Sequence, residues 1–346
     1  MPPTVLIASF LEPELVERIR SAHPTVTLVN RPDLIAQPRF PSDHIGHPLE
    51  RSEAEESEWR ALLAEADILF DFDRTHLDDL PELAPRVRWI QATSSGIGPL
   101  VGRHRYHERM PETVITRASG VHAQPLSEFC LMVMLMHSRN FQAMAAGQHA
   151  QEWGRFAGSD LEGRTLVVVG LGAIGSQLVR HAAALGLQVI GVGRGDDAAR
   201  FRDLPLLEYH AVDDLDAVLP RADYLVLVVP HTSETEHLLD RRRIRLLPQG
   251  SVVINIGRGV LIDEPALIEA LEDGHLGGAG LDVFQEEPLP STSPLWSMPN
   301  VLVSPHSAAT SDRENARLVD LFIENLGRYL TNRPLINLLA ADAVVE

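Results

Sequence analysis

Apolar residues along the chain fall into short runs that alternate with helical spacings. Thr4 to Ser9 is an apolar run of strand length, the spacing from about Pro13 to Ala22 predicts a helix, and Val26 to Val29 predicts a second strand. The chain therefore opens in β-α-β order. Residues 31 to 58 break this rhythm: Pro32, Pro38, Pro41 and Pro48, followed by Glu53, Glu55, Glu56 and Glu58, predict an exposed insertion, with a helix only around Trp59 to Ala64. Ala66 to Phe70 and Val87 to Gln91 predict further short strands. From Pro125 to Arg139 the spacing is helical and apolar almost all round, as expected of a helix buried between domains or subunits. A new series begins near Thr165, with strands predicted at Thr165 to Val169, Gln188 to Val192, Tyr224 to Val229, Val252 to Ile256, Gly278 to Leu281 and Val301 to Val303. That alternation is the signature of a doubly wound parallel sheet, so the fold class is α/β. Leu318, Leu321, Phe322, Leu326 and Tyr329 then predict an amphipathic helix that returns to the first domain.

Composition narrows the chemistry. A length of 346 residues accommodates two domains with sizeable cores. The net charge is -18, and because the sequence contains no lysine, all 30 basic side chains are arginine. A Schiff-base enzyme and a Walker-type phosphate loop both need a lysine amine, so both are excluded. An acidic surface also argues against nucleic acid or an anionic membrane as a partner and favours a small molecule. The single cysteine, Cys130, excludes an intramolecular disulfide and a thiolate zinc cluster; its apolar neighbours read as core. The histidines have no convincing ligand spacing, so no metal is expected. Without a basic n-region or an apolar run near ~20 residues, the expected location is the cytoplasm.

Gly170-Leu171-Gly172-Ala173-Ile174-Gly175 follows the Leu166 to Val169 strand and opens a helix. In that context the first glycine allows a tight turn, the second lets a pyrophosphate approach the backbone, and the third lets helix and strand pack closely. Free amides at the helix start would hold the phosphates. The next strand ends Gly191-Val192-Gly193-Arg194, where an NAD-specific site carries an acidic residue for the ribose diol. Gly193 fills that place. With no carboxylate to repel a 2′-phosphate and the Arg194 guanidinium beside it, NADP(H) is preferred over NAD(H). Asp196 and Asp197 lie just beyond and keep NAD open, and Arg194 can also be read as a solvated loop charge.

Three further motifs follow successive strands: Asn255-Ile256-Gly257-Arg258-Gly259, then Gly280-Leu281-Asp282-Val283-Phe284-Gln285-Glu286-Glu287, then Val303-Ser304-Pro305-His306-Ser307-Ala308. One guanidinium, one carboxylate and one imidazole are the set needed to reduce a 2-oxo acid: arginine binds the substrate carboxylate, histidine delivers the proton, and the carboxylate orients the imidazole. Singly, each has a duller reading, and Glu286-Glu287 can be a solvated pair. Their order after strands makes the joint coincidence improbable.

The chain resembles the D-isomer-specific 2-hydroxyacid dehydrogenase family, and its glyoxylate/hydroxypyruvate reductase branch in particular, from about Ser94 to Asn337 and most specifically between Gly170 and Thr310. The resemblance implies Arg258 as the substrate-binding arginine, Glu287 as the partner of the histidine, and His306 as the acid/base. It places Asp282 beside the nicotinamide and Pro230 along the cofactor pocket, with Thr235, Ile256, Gly257, His306 and Ala308 also on the cofactor. Ser94-Ser95-Gly96-Ile97 stands where the family usually has Ser-Ala-Gly-Val, a loop whose amides grip the substrate carboxylate; Ser95 departs from that pattern. The implied architecture is a pair of Rossmann-like domains, the NAD(P)-binding one (118–309) inserted into a discontinuous substrate-binding one (1–117 and 310–346), with two hinge crossings. The helix after Pro125 and the arm through Trp153 imply a homodimer. Phosphoglycerate and D-lactate dehydrogenases of the same family, and a dinucleotide-sensing corepressor on the same fold, are the competing readings. The chain's end soon after Asn337 counts against the first, since it leaves no room for a regulatory domain.

Overall fold

The computed structural model describes residues 2–195 and 198–340. The chain forms two compact units, Met1–Val121 with Thr310–Glu346, and His122–Ala309.

The first unit is built on a five-stranded parallel sheet of β1 (Thr4–Ile7), β2 (Thr27–Val29), β3 (Ile68–Phe70), β4 (Trp89–Gln91) and β5 (Val114–Thr116), in the order β2-β1-β3-β4-β5. Alternate side chains enter cores on its two faces, as the two-residue period of a strand requires. Leu6, Leu69 and Ile90 pack with Trp59 and Leu63 on one side. Val5, Ile7, Phe70 and Trp89 pack on the other with Ile19 and with Leu318, Phe322 and Leu326 of the helix Glu314–Leu330. The amphipathic helix thus returns to the first unit, where Phe322 stacks on Trp89 at 5.1 Å.

The acidic run belongs to a helix. Glu53–Glu65 is helical throughout because Ser52 caps it: its hydroxyl accepts from the Glu55 N–H while the Glu55 carboxylate accepts from the Ser52 N–H. Acidic side chains in the first turn also suit the positive end of the helix dipole. Upstream, residues 31–52 are irregular yet anchored, with Leu34 and Ile35 buried. Arg51 donates to the Leu34 carbonyl and lies over the Trp59 ring at 4.6 Å.

The second unit holds seven parallel strands: β6 (Thr165–Val169), β7 (Gln188–Gly193), β8 (Glu208–Ala211), β9 (Tyr224–Leu227), β10 (Ser251–Asn255), β11 (Leu276–Leu281) and β12 (Val301–Val303). Their order, β12-β11-β10-β9-β6-β7-β8, reverses at β6, which makes the sheet doubly wound. β5 and β8 were not expected from the apolar pattern; both are edge strands, and β8 (Glu-Tyr-His-Ala) carries no apolar run. The helix Ala123–Ser138 buries Leu126, Phe129, Cys130, Val133 and Met134 on this sheet and leaves Met132 and Leu135 each 42% exposed. A second helix, Phe141–Ala150, follows it unforeseen.

Register aligns the strand exits. Val169 pairs with Val192 and Leu227, Leu227 with Asn255, Asn255 with Leu281, and Leu281 with Val303. The loops after β6, β7, β9, β10, β11 and β12 therefore leave the sheet at one carboxyl edge.

Candidate active site

The β6 exit forms a glycine-rich turn. Gly170 adopts φ 108°, Gly172 caps the helix Ala173–Ala184 with open space where a Cβ would stand, and a Cβ on Gly175 would lie 1.9 Å from the Gly170 carbonyl oxygen. Gly170 is thus required by its backbone sign and Gly175 by packing, whereas at Gly172 the chain leaves the open space that a close-lying phosphate would use. No side chain caps this helix, so the amides at Ala173, Ile174 and Gly175 fit the pyrophosphate of a dinucleotide. At the β9 exit, Pro230 is exposed and its carbonyl accepts from the Thr235 hydroxyl, which in turn accepts from the Thr232 N–H, both at 2.8 Å. Thr235 therefore shapes the loop that presents Pro230. Arg194, at the β7 exit, is exposed; Asp196 and Asp197 lie outside the described residues.

The β10, β11 and β12 exits carry the three candidate groups, and the last two bring Glu287 and His306 into contact. The Asn255 side chain, 1% exposed, donates to the Arg258 carbonyl at 2.8 Å and accepts from the Gly257 N–H at 3.1 Å. This clamp fixes the turn Ile256-Gly257-Arg258. The Arg258 guanidinium donates to the Gly257 carbonyl at 2.7 Å. Only glycine fits at 259, where a Cβ would fall 1.9 Å from the Phe284 carbonyl carbon in the neighbouring exit loop.

Glu287 uses both carboxylate oxygens. Oε1 accepts from the Phe284 N–H at 3.0 Å, and Oε2 lies 2.7 Å from Nδ1 of His306. With Nδ1 committed to Glu287, Nε2 is the ring nitrogen left to exchange a proton. His306 is half-exposed and sits at φ 52°, in the left-handed region that a non-glycine residue adopts only when its surroundings impose it. Those surroundings are visible. Its N–H donates to the Asp282 carbonyl at 3.0 Å, while Asp282 Oδ1 accepts from the Ser304 hydroxyl and from the Ser307 and Ala308 N–H groups at 2.6, 2.8 and 2.9 Å. Asp282, 2% exposed, is thus the anchor of the whole 304–308 loop.

Asn255 and Ser304 are the positioning residues that sequence reasoning missed. Asn255 carried a usable signal, an amide directly before Ile-Gly-Arg-Gly; Ser304 carried none, since its partner is 22 residues away.

In the first unit, Ser94-Ser95-Gly96 follows β4. The Ser94 carbonyl accepts from the Ala118 N–H at 3.1 Å and the Gly96 N–H reaches the Ser94 hydroxyl at 3.3 Å, so the loop is partly held by its own bonds. Among the described residues no cluster of side chains could hold a metal ion.

A dinucleotide turn at the switch of a doubly wound sheet, with an imidazole–carboxylate pair and an arginine at the same edge, defines the nicotinamide-dependent oxidoreductases that couple hydride and proton transfer. The family model for the D-isomer specific 2-hydroxyacid dehydrogenase NAD binding domain matches residues 131–308, more than half of the chain. The chain belongs to that family, and with it to the 2-hydroxyacid dehydrogenase enzymes. It is 35% identical over 219 residues to a D-3-phosphoglycerate dehydrogenase of Methanocaldococcus jannaschii, a match covering 63% of this chain but only 41% of the relative's length. It is 29% identical over 293 residues to a glyoxylate reductase of Aeropyrum pernix, covering 81% of this chain and 84% of the relative. Among solved structures, an NADPH-dependent glyoxylate/hydroxypyruvate reductase of Sinorhizobium meliloti, in complex with NADP and sulfate, aligns over 99% of this chain and 100% of its own at TM-score 0.75 and 26% identity.

Proposed function

We propose that the protein reduces a small 2-oxo acid of the glyoxylate or hydroxypyruvate kind to the D-2-hydroxy acid, with NADP(H) preferred over NAD(H). The observation that carries this reading is the 2.7 Å Glu287–His306 pair, held at the same sheet edge as Arg258. A bound nicotinamide supplies the hydride. His306 gives its Nε2 proton to the carbonyl oxygen, and Glu287 keeps the ring oriented and balances its charge while the proton is held. Arg258 binds the substrate carboxylate and, through the same guanidinium, polarises the adjacent carbonyl. In the first unit, the amides of Ser94, Ser95 and Gly96 are donors suited to a substrate carboxylate. Asp282 acts chiefly by holding the loop that carries His306. Gly170, Gly172, Ala173, Ile174, Gly175, Pro230, Thr235, Ile256, Gly257 and Ala308 line the dinucleotide, and the unit His122–Ala309 is the cofactor-binding one. An intact Arg258, Glu287 and His306 set favours turnover over a purely sensing role.

Cofactor preference rests on Gly193 and the exposed Arg194, and is supported by the NADP in the S. meliloti neighbour. A homodimer is supported by an apolar surface groove lined by Leu131, Met132, Leu135, Phe141 and Met144 and by Trp153, which is 97% exposed. The surroundings of Cys130 and the acidic charge fit a cytoplasmic protein with a small-molecule substrate and neither nucleic acid nor membrane as partner; no helix among the described residues is long and apolar enough to cross a membrane.

Steady-state rates on glyoxylate, hydroxypyruvate, pyruvate and bulkier 2-oxo acids, each with NADPH and NADH, test the reading. Highest kcat/KM on the two small acids with NADPH is expected. Preference for a bulky acid would overturn the substrate assignment, and preference for NADH would overturn the cofactor assignment.

A further inference from the structure

β7 ends at Gly193, where NAD-type dinucleotide folds carry the carboxylate for the ribose diol. The missing carboxylate is only half of what the structure shows there. Tyr209 of the neighbouring strand β8 crowds that position; β8 runs parallel to β7 with Gly191 opposite Tyr209 and Gly193 opposite Ala211. A Cβ on Gly193 would stand 3.0 Å from the Tyr209 hydroxyl oxygen and 3.2 Å from Cε2. That is tighter than ordinary van der Waals contact, so any side chain at 193 requires Tyr209 to give by a few tenths of an ångström.

The phenol is not free to yield. Its hydroxyl donates to the Gly195 carbonyl at 2.8 Å and lies 3.2 Å from the Arg194 carbonyl, and its ring packs on Phe201 at 5.2 Å between centroids. Moving it would cost these bonds. The single hydroxyl proton serves these carbonyls, so an acceptor-only carboxylate at 193 could bond the phenol only by drawing that proton away from the Arg194–Gly195 backbone.

We propose that Tyr209 determines cofactor choice in this chain. Its ring closes the space for a diol-binding carboxylate at 193, and its hydroxyl fixes the Arg194–Gly195 backbone from which the Arg194 guanidinium meets a ribose 2′-phosphate. Tyr209 is a positioning residue. The inference rests on the NADP(H) reading of Arg194 for its second half, whereas the conflict between positions 193 and 209 stands without it.

The test measures NADPH and NADH dissociation constants by nucleotide fluorescence, with thermal melting as a folding control, for the parent, Gly193→Asp, Tyr209→Ala and the double variant. Gly193→Asp alone is expected to weaken NADPH about tenfold or more without tightening NADH, whereas in the Tyr209→Ala background it tightens NADH about tenfold, a coupling of ~1.4 kcal/mol. Equal tightening of NADH in both backgrounds would overturn the steric claim. Should Gly193→Asp fail to fold, Gly193→Ala carries the same comparison with a single added methyl: a lowered melting temperature in the parent background and not in Tyr209→Ala supports the clash, and no difference overturns it. Tyr209→Phe keeps the ring and removes the hydroxyl; NADPH should weaken about three- to tenfold with NADH unchanged, and an unchanged NADPH constant would overturn the positioning half. A parent that binds NADH more tightly would overturn the NADP(H) reading itself, while the 193–209 coupling would still be read.

Discussion

His306 holds a left-handed backbone because Asp282 and Ser304 bind the loop on both sides of it, and Glu287 then fixes its ring. Removing the carboxylate charge should leave the fold and impair the chemistry. Glu287→Gln is expected to lower kcat for 2-oxo acid reduction about 10²-fold with little change in cofactor affinity, and an unchanged kcat would show that the pair is not used. Arg258→Ala should act differently, raising KM for the oxo acid more than it lowers kcat, as expected when a ground-state contact is lost. Cys130 offers a contrasting check, because burial pushes its thiol far above the usual range. It should resist thiol reagents in the native protein and react within minutes in denaturant; rapid native labelling would contradict its place in the core. The placement of Arg258, Glu287 and His306 at strand exits was legible in the sequence because each follows a strand with a distinctive neighbour set. Asn255 bonds residues two and three positions on and carried a local signal, whereas Ser304 acts through a partner 22 residues away that no spacing rule identifies.

At the scale of elements, residues 31–65 show where pattern reading stops. The prolines mark the irregular stretch, but the acidic run expected to belong to it is helical. The capping box at Ser52 reverses that reading, since reciprocal bonds with Glu55 start the helix six residues before Trp59 could anchor it. Ser52→Ala should cost about 0.5–2 kcal/mol, measured by denaturant unfolding, and a neutral result would contradict the cap. The irregular stretch has its own clasp: the Arg39 guanidinium holds the buried Asp43 carboxyl well below the usual carboxylate range. A carboxyl depressed in the folded state stabilises above its unfolded value and loses that contribution as pH falls through its folded one. The stability gap between the parent and Asp43→Asn should therefore be constant from about pH 7 down to the ordinary aspartate range near 4, then shrink with further acid. A gap that widens in acid would contradict the pairing. β5 and β8 escaped notice for a related reason: at three and four residues, on sheet edges, they are defined by their neighbours more than by their own side chains.

Across the whole molecule, two parallel sheets were legible because alternating strands and helices leave few other topologies. The helix Ala123–Ser138, expected to lie buried between domains or subunits, covers the second unit's sheet with one face, while Met132 and Leu135, with Phe141 and Met144 of the next helix, remain exposed along one groove. If a second copy covers it, Met132→Glu with Met144→Glu should convert a dimer to a monomer in light scattering; a parent that is already monomeric would contradict the dimer. With lysine absent, every cationic task falls to arginine or histidine, and many arginines are spent on surface pairs such as Arg31 with Asp33 and Glu58 or Arg221 with Glu208. In the proposed reaction, Arg258 and His306 serve a substrate carboxylate and a proton instead. The most direct measurement is kcat for glyoxylate reduction by His306→Ala beside the parent, with the NADPH dissociation constant determined on both. A fall of about 10²- to 10⁴-fold in kcat with unchanged NADPH binding is predicted, and equal rates in the two proteins would contradict the assignment.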